Sequence, residues 1–408
     1  MARCPYLFSN TSRRHSKACP QEGPAMFFRN ALTTILLALT VVTAAVAGLT
    51  ISILRSSTEA VEQDQYALMG KIIEFNLSTA EDKAIARAEM IVNLPRIQEL
   101  FNRGDRDGLA AELKTMFEIQ RDKYGVAQSQ FHLAPASSFL RLHQPANFGD
   151  DLSTSRPIVV SVNKDGVARK GLSISKAGPG IFGVVPVPNG GAAPKGTFEF
   201  GLEFGGVLDR VKTAYGLETV LFIDEVRLKA SAPDLGGEVY SEKNRVGKYI
   251  KYSSTNWELM KQLVNDTELS QPGFEKEPYQ RDANGNPYGI VGTLLRNPAG
   301  DVLGIIVTAK DFSSTRDSVA SSTIYVMLAA AFGLIISAGI VIVVIRGGIA
   351  RPLSSLSRGY QDLAAGEQGD EGSAELDKSR YYGQLRDIAE SYHTLASRDR
   401  AASAGTPR

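Results

Sequence analysis

Cysteine is almost missing from this chain. The only two, Cys4 and Cys19, lie ahead of the first apolar run. Whatever folds downstream has no disulfide to staple it and must rest on a buried core. An excess of charge of either sign is also missing, with 45 Lys and Arg against 44 Asp and Glu. The last stretch, Arg346 to Arg408, balances nine cations with nine anions. That leaves no basic face for nucleic acid and no polybasic tail for lipid. Histidine is scarce: His15, His132, His143 and His393 are all there are. No Gly-x-x-x-x-Gly-Lys loop, His-Glu-x-x-His pair or Gly-x-Ser-x-Gly elbow occurs. His132, His143 and the nearby aspartates lack metal-ligand spacing, and His393 has no nucleotide-binding segment to serve. No enzyme activity, cofactor or metal is expected.

What the chain does have is hydrophobicity in two blocks. Ala31 to Leu54 and Thr323 to Ile345 run 24 and 23 residues without a charge. Either crosses a hydrocarbon layer of about 30 Å as a helix. The first is too long for the apolar part of a signal peptide. Arg3, Arg13, Arg14, Lys17 and Arg29 precede the first block, and Arg346, Arg351 and Arg358 follow the second. The positive-inside rule then puts both termini in the cytoplasm of a bacterial inner membrane. Residues 1–30 form an N-terminal arm, with Met26 a possible alternative start, and 31–54 form the first span. Residues 55–322 are exported and 323–345 form the second span. A coupler over 346–396 and a disordered tail over 397–408 complete the division.

The exported part has an α+β pattern. From Ser56 to about Asn93 apolar residues such as Val61, Leu68, Ile72, Phe75 and Met90 recur at helical intervals, and Pro95 marks a break. A second helix is expected over Asp107–Asp122. Strands are expected at Val126–Leu133, Ile158–Val162, Leu172–Ser175, Ile181–Val187 and Thr197–Phe204. After a helical link from Gly206 to Tyr215, further strands are expected at Thr219–Ile223, Val226–Lys229, Tyr249–Ser253, Tyr288–Leu295 and Val302–Lys310. A helix over Trp257–Asn265 interrupts them. Asn297-Pro298-Ala299-Gly300 is a hairpin turn joining the last two strands. Two similar sheet modules on one long stalk helix account for this order.

Gln130-Phe131-His132-Leu133, the run Pro135 to His143, Phe148-Gly149-Asp150-Asp151-Leu152 and Phe198-Glu199-Phe200-Gly201 resemble the membrane-distal part of double-Cache sensor domains. The similarity spans roughly residues 60–312 and implies two PAS-like modules, the distal one holding any small ligand. His132, Ser137, Arg141 and His143 lie on or just after a strand and combine donors with positive charge. A guanidinium grips a carboxylate through two parallel hydrogen bonds, so these four suit a small organic anion. The other reading of the same residues pairs Arg141 with Asp150 or Asp151 and leaves the histidines as packing.

Behind the second span, Pro352, Leu353, Leu356, Tyr360 and Leu363 step at coiled-coil intervals, and so do Leu385, Ile388, Tyr392 and Leu395. With Leu-Ala-x-Gly-Glu and Gly-Gln-Leu, this resembles a HAMP coupler, which implies a parallel four-helix bundle in a homodimer. Tyr381 and Tyr382 replace the acidic residue and isoleucine usual before Gly-Gln-Leu. Little sequence follows, and the outline is similar to that of receptor-like proteins that shape and position magnetosome membranes in magnetotactic bacteria. The leading expectation is therefore a dimeric, non-enzymatic protein that organises membrane, with lipid and a second copy as partners. The alternative is a sensor of a small external ligand that signals through a separate cytoplasmic partner at the coupler.

Overall fold

The computed structural model describes residues 24–233, 235–271, 273–275, 277–365 and 383–404. Most of the N-terminal arm, the Gly366-Glu367 pair and the Tyr381-Tyr382 substitution lie outside the described residues. The chain divides into two compact units, Ser56–Val319 and the segments flanking it.

Helix α1 (Pro24–Val92) is 69 residues long. Within the Ser56–Val319 unit it buries Tyr66, Met69, Ile73, Leu77, Ala80, Ala84 and Ala88. Those steps of three and four make a single stripe. Pro95 does more than end this helix: it opens α2 (Pro95–Arg103), where a missing amide costs nothing, and Gly104 closes α2 in the left-handed region. Helix α3 (Arg106–Tyr124) is capped by the Asp105 side chain, which accepts from the Gly108 amide at 2.8 Å.

The first sheet contains β1 (Val126–Leu133) and β2 (Ser137–Arg141). Helix α4 (Pro157–Asp165) follows, then β3 (Arg169–Ser175), β4 (Gly178–Pro186) and β5 (Gly196–Leu202). The strand order is β2-β1-β5-β4-β3, antiparallel throughout. One face, carrying Phe131, Phe198, Phe200, Ile181 and Val185, shares a core with α1, α2 and α3. The sheet approaches α1 so closely that a Cβ on Gly183 would lie 2.3 Å from the Ile85 backbone. Helix α4 covers part of the other face through Ile158, Val159 and Val162, which meet Ala136, Leu152 and Val184.

Helix α5 (Phe204–Tyr215) leads to β6 (Glu218–Asp224), α6 (Glu225–Ser231), β7 (Arg245–Val246) and β8 (Tyr249–Ser254). Next come α7 (Trp257–Leu263), α8 (Asp266–Ser270), β9 (Tyr279–Ala283), β10 (Asn286–Arg296) and β11 (Val302–Asp311). The second sheet runs β7-β8-β6-β11-β10-β9. Without the two-residue edge strand β7, its order is second-first-fifth-fourth-third, the same as in the first sheet. The expected hairpin is present: Asn297 Oδ1 accepts from the amides of Ala299 and Asp301 at 3.0 and 2.8 Å, closing the β10–β11 turn. The two modules touch at Gly171, under Pro298, and at Gly178, against the Tyr252 hydroxyl.

Two expected strands are helices. Ile158–Val162 belongs to α4, because Pro157 fits the first helical turn, Gly166 closes it at φ 71°, and the three apolar residues share one side. Val226–Lys229 belongs to α6, where the Asp224 side chain accepts from the Arg227 amide at 3.1 Å and only Leu228 is buried. Branched residues in both runs favoured strand, and capping with one-sided burial prevailed.

In the flanking unit, the first part of α1 and α9 (Ser313–Val343) are long and apolar enough to cross a membrane. Leu37, Val42 and Leu49 on the first and Phe332, Ile335 and Val343 on the second are more than half exposed. A π-helical segment, Val344–Ala350, joins α9 to α10 (Arg351–Ala365), and α11 (Gln384–Ala404) completes the unit. Leu356 packs with Leu385 and Ala389. Four residues on, Tyr360 stacks edge-on against Tyr392 at 5.3 Å. The contacts advance together, so α10 and α11 run parallel. Pro352 is buried and Leu353 half-buried. Of the expected seam residues, Ile388 and Leu395 are exposed, 43% and 51%, with Ala389 taking the inward place beside Leu385. The side chain of Leu363 lies outside the described residues. The tail expected to be disordered from 397 is helical to Ala404.

Candidate functional site

Strand alternation places the first sheet's polar residues on the face away from α1. With Phe131 and Phe198 directed to the α1 side, their neighbours Gln130, His132, Thr197 and Glu199 take the other. The ladders then align Arg141, Gln130 and Glu199 across β2, β1 and β5, because Gln130 pairs with Arg141 on one edge and with Glu199 on the other. All three are buried. A charged row on a covered sheet face is costly unless every member is paired.

The pairing is close to complete. Arg156, at the entrance to α4, forms an ion pair with Glu199, and the two side chains are 3% and 1% exposed. Its other nitrogen donates to the Ser173 hydroxyl at 3.0 Å, and the guanidinium lies 4.2 Å from the centre of the Phe182 ring. Arg141 donates both terminal nitrogens to Asp150, at 2.8 and 2.9 Å, and also bonds the Asn147 carbonyl at 2.9 Å. Lys176, in the β3–β4 turn, reaches the same carboxylate at 2.6 Å. Arg141 and Lys176 hold Asp150 well below the usual carboxylate range. Gln130 donates to the Ser138 hydroxyl at 2.9 Å.

Between these groups is a cavity of about 20 Å³, lined by Gln128, Gln130, Arg141, His143, Arg156 and Lys176 among others. That is room for about one water. Arg141 and His143, two of the four residues expected from sequence, line it. His132 and Ser137 do not. Ser137 ends the β1–β2 turn half-exposed opposite Leu133, and its neighbour Ser138 is the serine turned inward. His132 is fully buried, Nδ1 lying 3.3 Å from the Thr197 hydroxyl and Nε2 without a partner among the described residues. Burial, then the charges of Arg156 and Arg141, push its pKa well down. His143 accepts from the Ser129 amide at 3.4 Å and is lowered to about 4, chiefly by burial. Both rings are therefore neutral at pH 7.

The pairing of Arg141 with Asp150 was one of the two readings open in the sequence. Arg156, Lys176 and Glu199 were not anticipated. Glu199 sits between two phenylalanines in Phe198-Glu199-Phe200, an alternation that normally marks a solvent face. The helix that covers this face starts at Arg156-Pro157, in a stretch read as strand. The Pro after Arg156 was the available signal.

Residues 59–314 match the family described as the double sensory domain of two-component sensor kinases. The chain belongs to this family. The duplicated strand order and the polar cavity are thus parts of a double-Cache sensory domain, in a chain that also carries two helices long and apolar enough to cross a membrane. Among solved structures, the periplasmic domain of Vibrio cholerae LuxQ is 10% identical with a TM-score of 0.38, covering 61% of this chain and 99% of its own. The sensor domain of the V. cholerae histidine kinase DctB is 9% identical with a TM-score of 0.39, covering 62% and 98%. The ligand-binding domain of the Campylobacter jejuni chemoreceptor Tlp3, solved with L-valine, is 13% identical with a TM-score of 0.39, covering 64% and 96%. No curated protein matches this chain.

Proposed function

We propose that this chain is a non-enzymatic transmembrane sensor whose membrane-distal module binds a small anionic ligand from outside the bacterial inner membrane. The observation that carries this is the buried Arg141–Gln130–Glu199 row beside the cavity. A domain stable through its apolar core alone has no need of five charged groups there, and desolvating them is expensive. Titrating the detergent-solubilised full-length protein with a panel of small carboxylates should give saturable heat for at least one of them. Arg141→Ala should remove it. Retention of that heat in the variant would exclude the cavity as its source.

The ligand state passes to a cytoplasmic partner through α10 and α11, which act as a HAMP-like coupler in a homodimer. Ile388 and Leu395 support this: they are seven residues apart and exposed, while Leu385 and Ala389 already pack on α10. In a parallel bundle an outward pair at heptad spacing meets a second copy. Ile388→Glu should shift the solubilised protein from dimer to monomer in light scattering, and an unchanged mass would remove the coupler from the dimer contact. The membrane-organising role, including likeness in outline to the magnetosome protein MamY, was the leading expectation. Membership of a sensory family favours the alternative, and nothing among the described residues favours membrane shaping over it.

A further inference from the structure

Arg141 already holds what an anion receptor is built to hold. Its two terminal nitrogens meet the two oxygens of Asp150 fork to fork, at 2.8 and 2.9 Å, and Lys176 adds a third contact at 2.6 Å. A ligand carboxylate would take the same geometry. The cavity beside it holds about one water, whereas pockets that enclose small organic ligands run to about 300 Å³ or more. Entry of a ligand therefore requires something to leave.

Asp150 is the group placed to leave. It lies in the segment between β2 and α4, pairing at the sheet edge through Ser138 N to Asp150 O at 3.0 Å and Gly149 N to Ser138 O at 2.7 Å. Its side chain is 31% exposed and that of Lys176, which lines the cavity, 38% exposed, so this pair is the part of the charged cluster nearest solvent. Arg156 and Glu199, at 3% and 1%, form the inner wall and are fixed to each other.

The charge count indicates which ligand fits. Arg141, Arg156 and Lys176 face the cavity, against Glu199 and the bound Asp150. Both nearby histidines are neutral, so one positive charge is in excess. Glu199 is committed to Arg156, leaving Arg141 and Lys176 to share a single carboxylate. If Asp150 leaves, Arg141 and Lys176 face one incoming carboxylate. The site has no unpaired carboxylate for an ammonium group.

Building on the anion-sensor reading, we propose that Asp150 is a tethered stand-in for the ligand. A small monoanion without an ammonium group displaces it from Arg141 and Lys176. The closed arrangement lowers the fraction of molecules competent to bind, and the observed affinity falls by that fraction. An amino acid would use the site in the opposite sense, with its ammonium on Asp150 and its carboxylate on Arg141.

Propionate and L-alanine differ by that ammonium group and test the proposal directly. Calorimetry on the full-length protein in detergent should show propionate binding to wild type and about tenfold tighter binding to Asp150→Asn, because the competitor is gone. Lys176→Gln, at a part-exposed turn position, should weaken propionate about tenfold by removing one of its two cations. L-alanine binding that Asp150→Asn abolishes would overturn the stand-in role and leave the cavity a ligand site. Propionate binding unchanged by either variant would overturn it too. Failure of both probes with wild type and Asp150→Asn, together with failure of the carboxylate panel, would overturn the anion-sensor reading itself.

Discussion

Glu199→Ala should destabilise the sensory unit by about 3–5 kcal/mol, the range for removing one partner of a buried ion pair. The substitution deletes a side chain that is 1% exposed and leaves the Arg156 guanidinium, 3% exposed, with only the Ser173 hydroxyl and the face of Phe182 as partners. Neither contact replaces a counter-charge. Most of the cost is the isolated cation, so the double variant Arg156→Met with Glu199→Met should recover most of the loss, as uncharged replacements of buried pairs often do. Urea midpoints of wild type, the single variant and the double variant check this, provided the denaturant slope stays constant. A double variant as unstable as Glu199→Ala would mean that the pair is held for its packing rather than its charge. The two outcomes also separate stability from sensing. A double variant that is stable but blind to carboxylates would place the pair in the ligand's field.

Acid should weaken the fold well above the range in which its carboxylates titrate. His143 has its pKa lowered to about 4, and His132 is lowered well below 6.5. A histidine with a depressed folded pKa binds its proton more readily when unfolded. Its contribution is complete above about pH 6.5 and is lost as pH falls from there toward the folded value. For His143 that amounts to about 3 kcal/mol, and His132 acts in the same direction. With both rings neutral in the fold and protonated in the unfolded chain, stability should fall by up to about 2.7 kcal/mol per pH unit below pH 6. Glu81 works against this, since burial raises its pKa and its protonation relieves that cost. Denaturation at a series of pH values should show the decline, and His143→Gln should reduce its slope by about half. An unchanged slope in the variant would assign the decline to other groups.

The sequence made the framework legible where period and punctuation agreed. The α1 helix, the Asn297–Gly300 turn and the β1 limits follow from helical spacing, turn chemistry and β-rich composition. The buried side of α1 does not: Val61, Leu68, Phe75 and Met90 are exposed, and Tyr66, Met69, Ile73 and Leu77 are buried. Legibility failed where a short branched run carried a helix cap, as at Pro157 and Asp224. It failed again where burial depends on a distant element. Gln130 and Glu199 lie on the side of their strands away from α1, and α4, the Arg156 side chain and the segment carrying Asp150 and Leu152 together bury that side. Arg141 was visible because its guanidinium stands among histidines and a serine in a short run, a donor set suited to a carboxylate. Lys176 was not, since a lysine in a turn is ordinary and only the fold of the β3–β4 hairpin brings it to Asp150.

The same hairpin has a second neighbour. Ser175, Lys176 and Ala177 line the cavity, and the next residue, Gly178, holds φ at 120° with its α-carbon against the hydroxyl of Tyr252 on β8. A side chain at 178 would collide with that oxygen, 2.6 Å from where its Cβ would stand. The turn is thus a rocker with one end on the anion and the other on the second sheet. A shift of the turn that holds Asp150 would therefore press on the second sheet through one phenol.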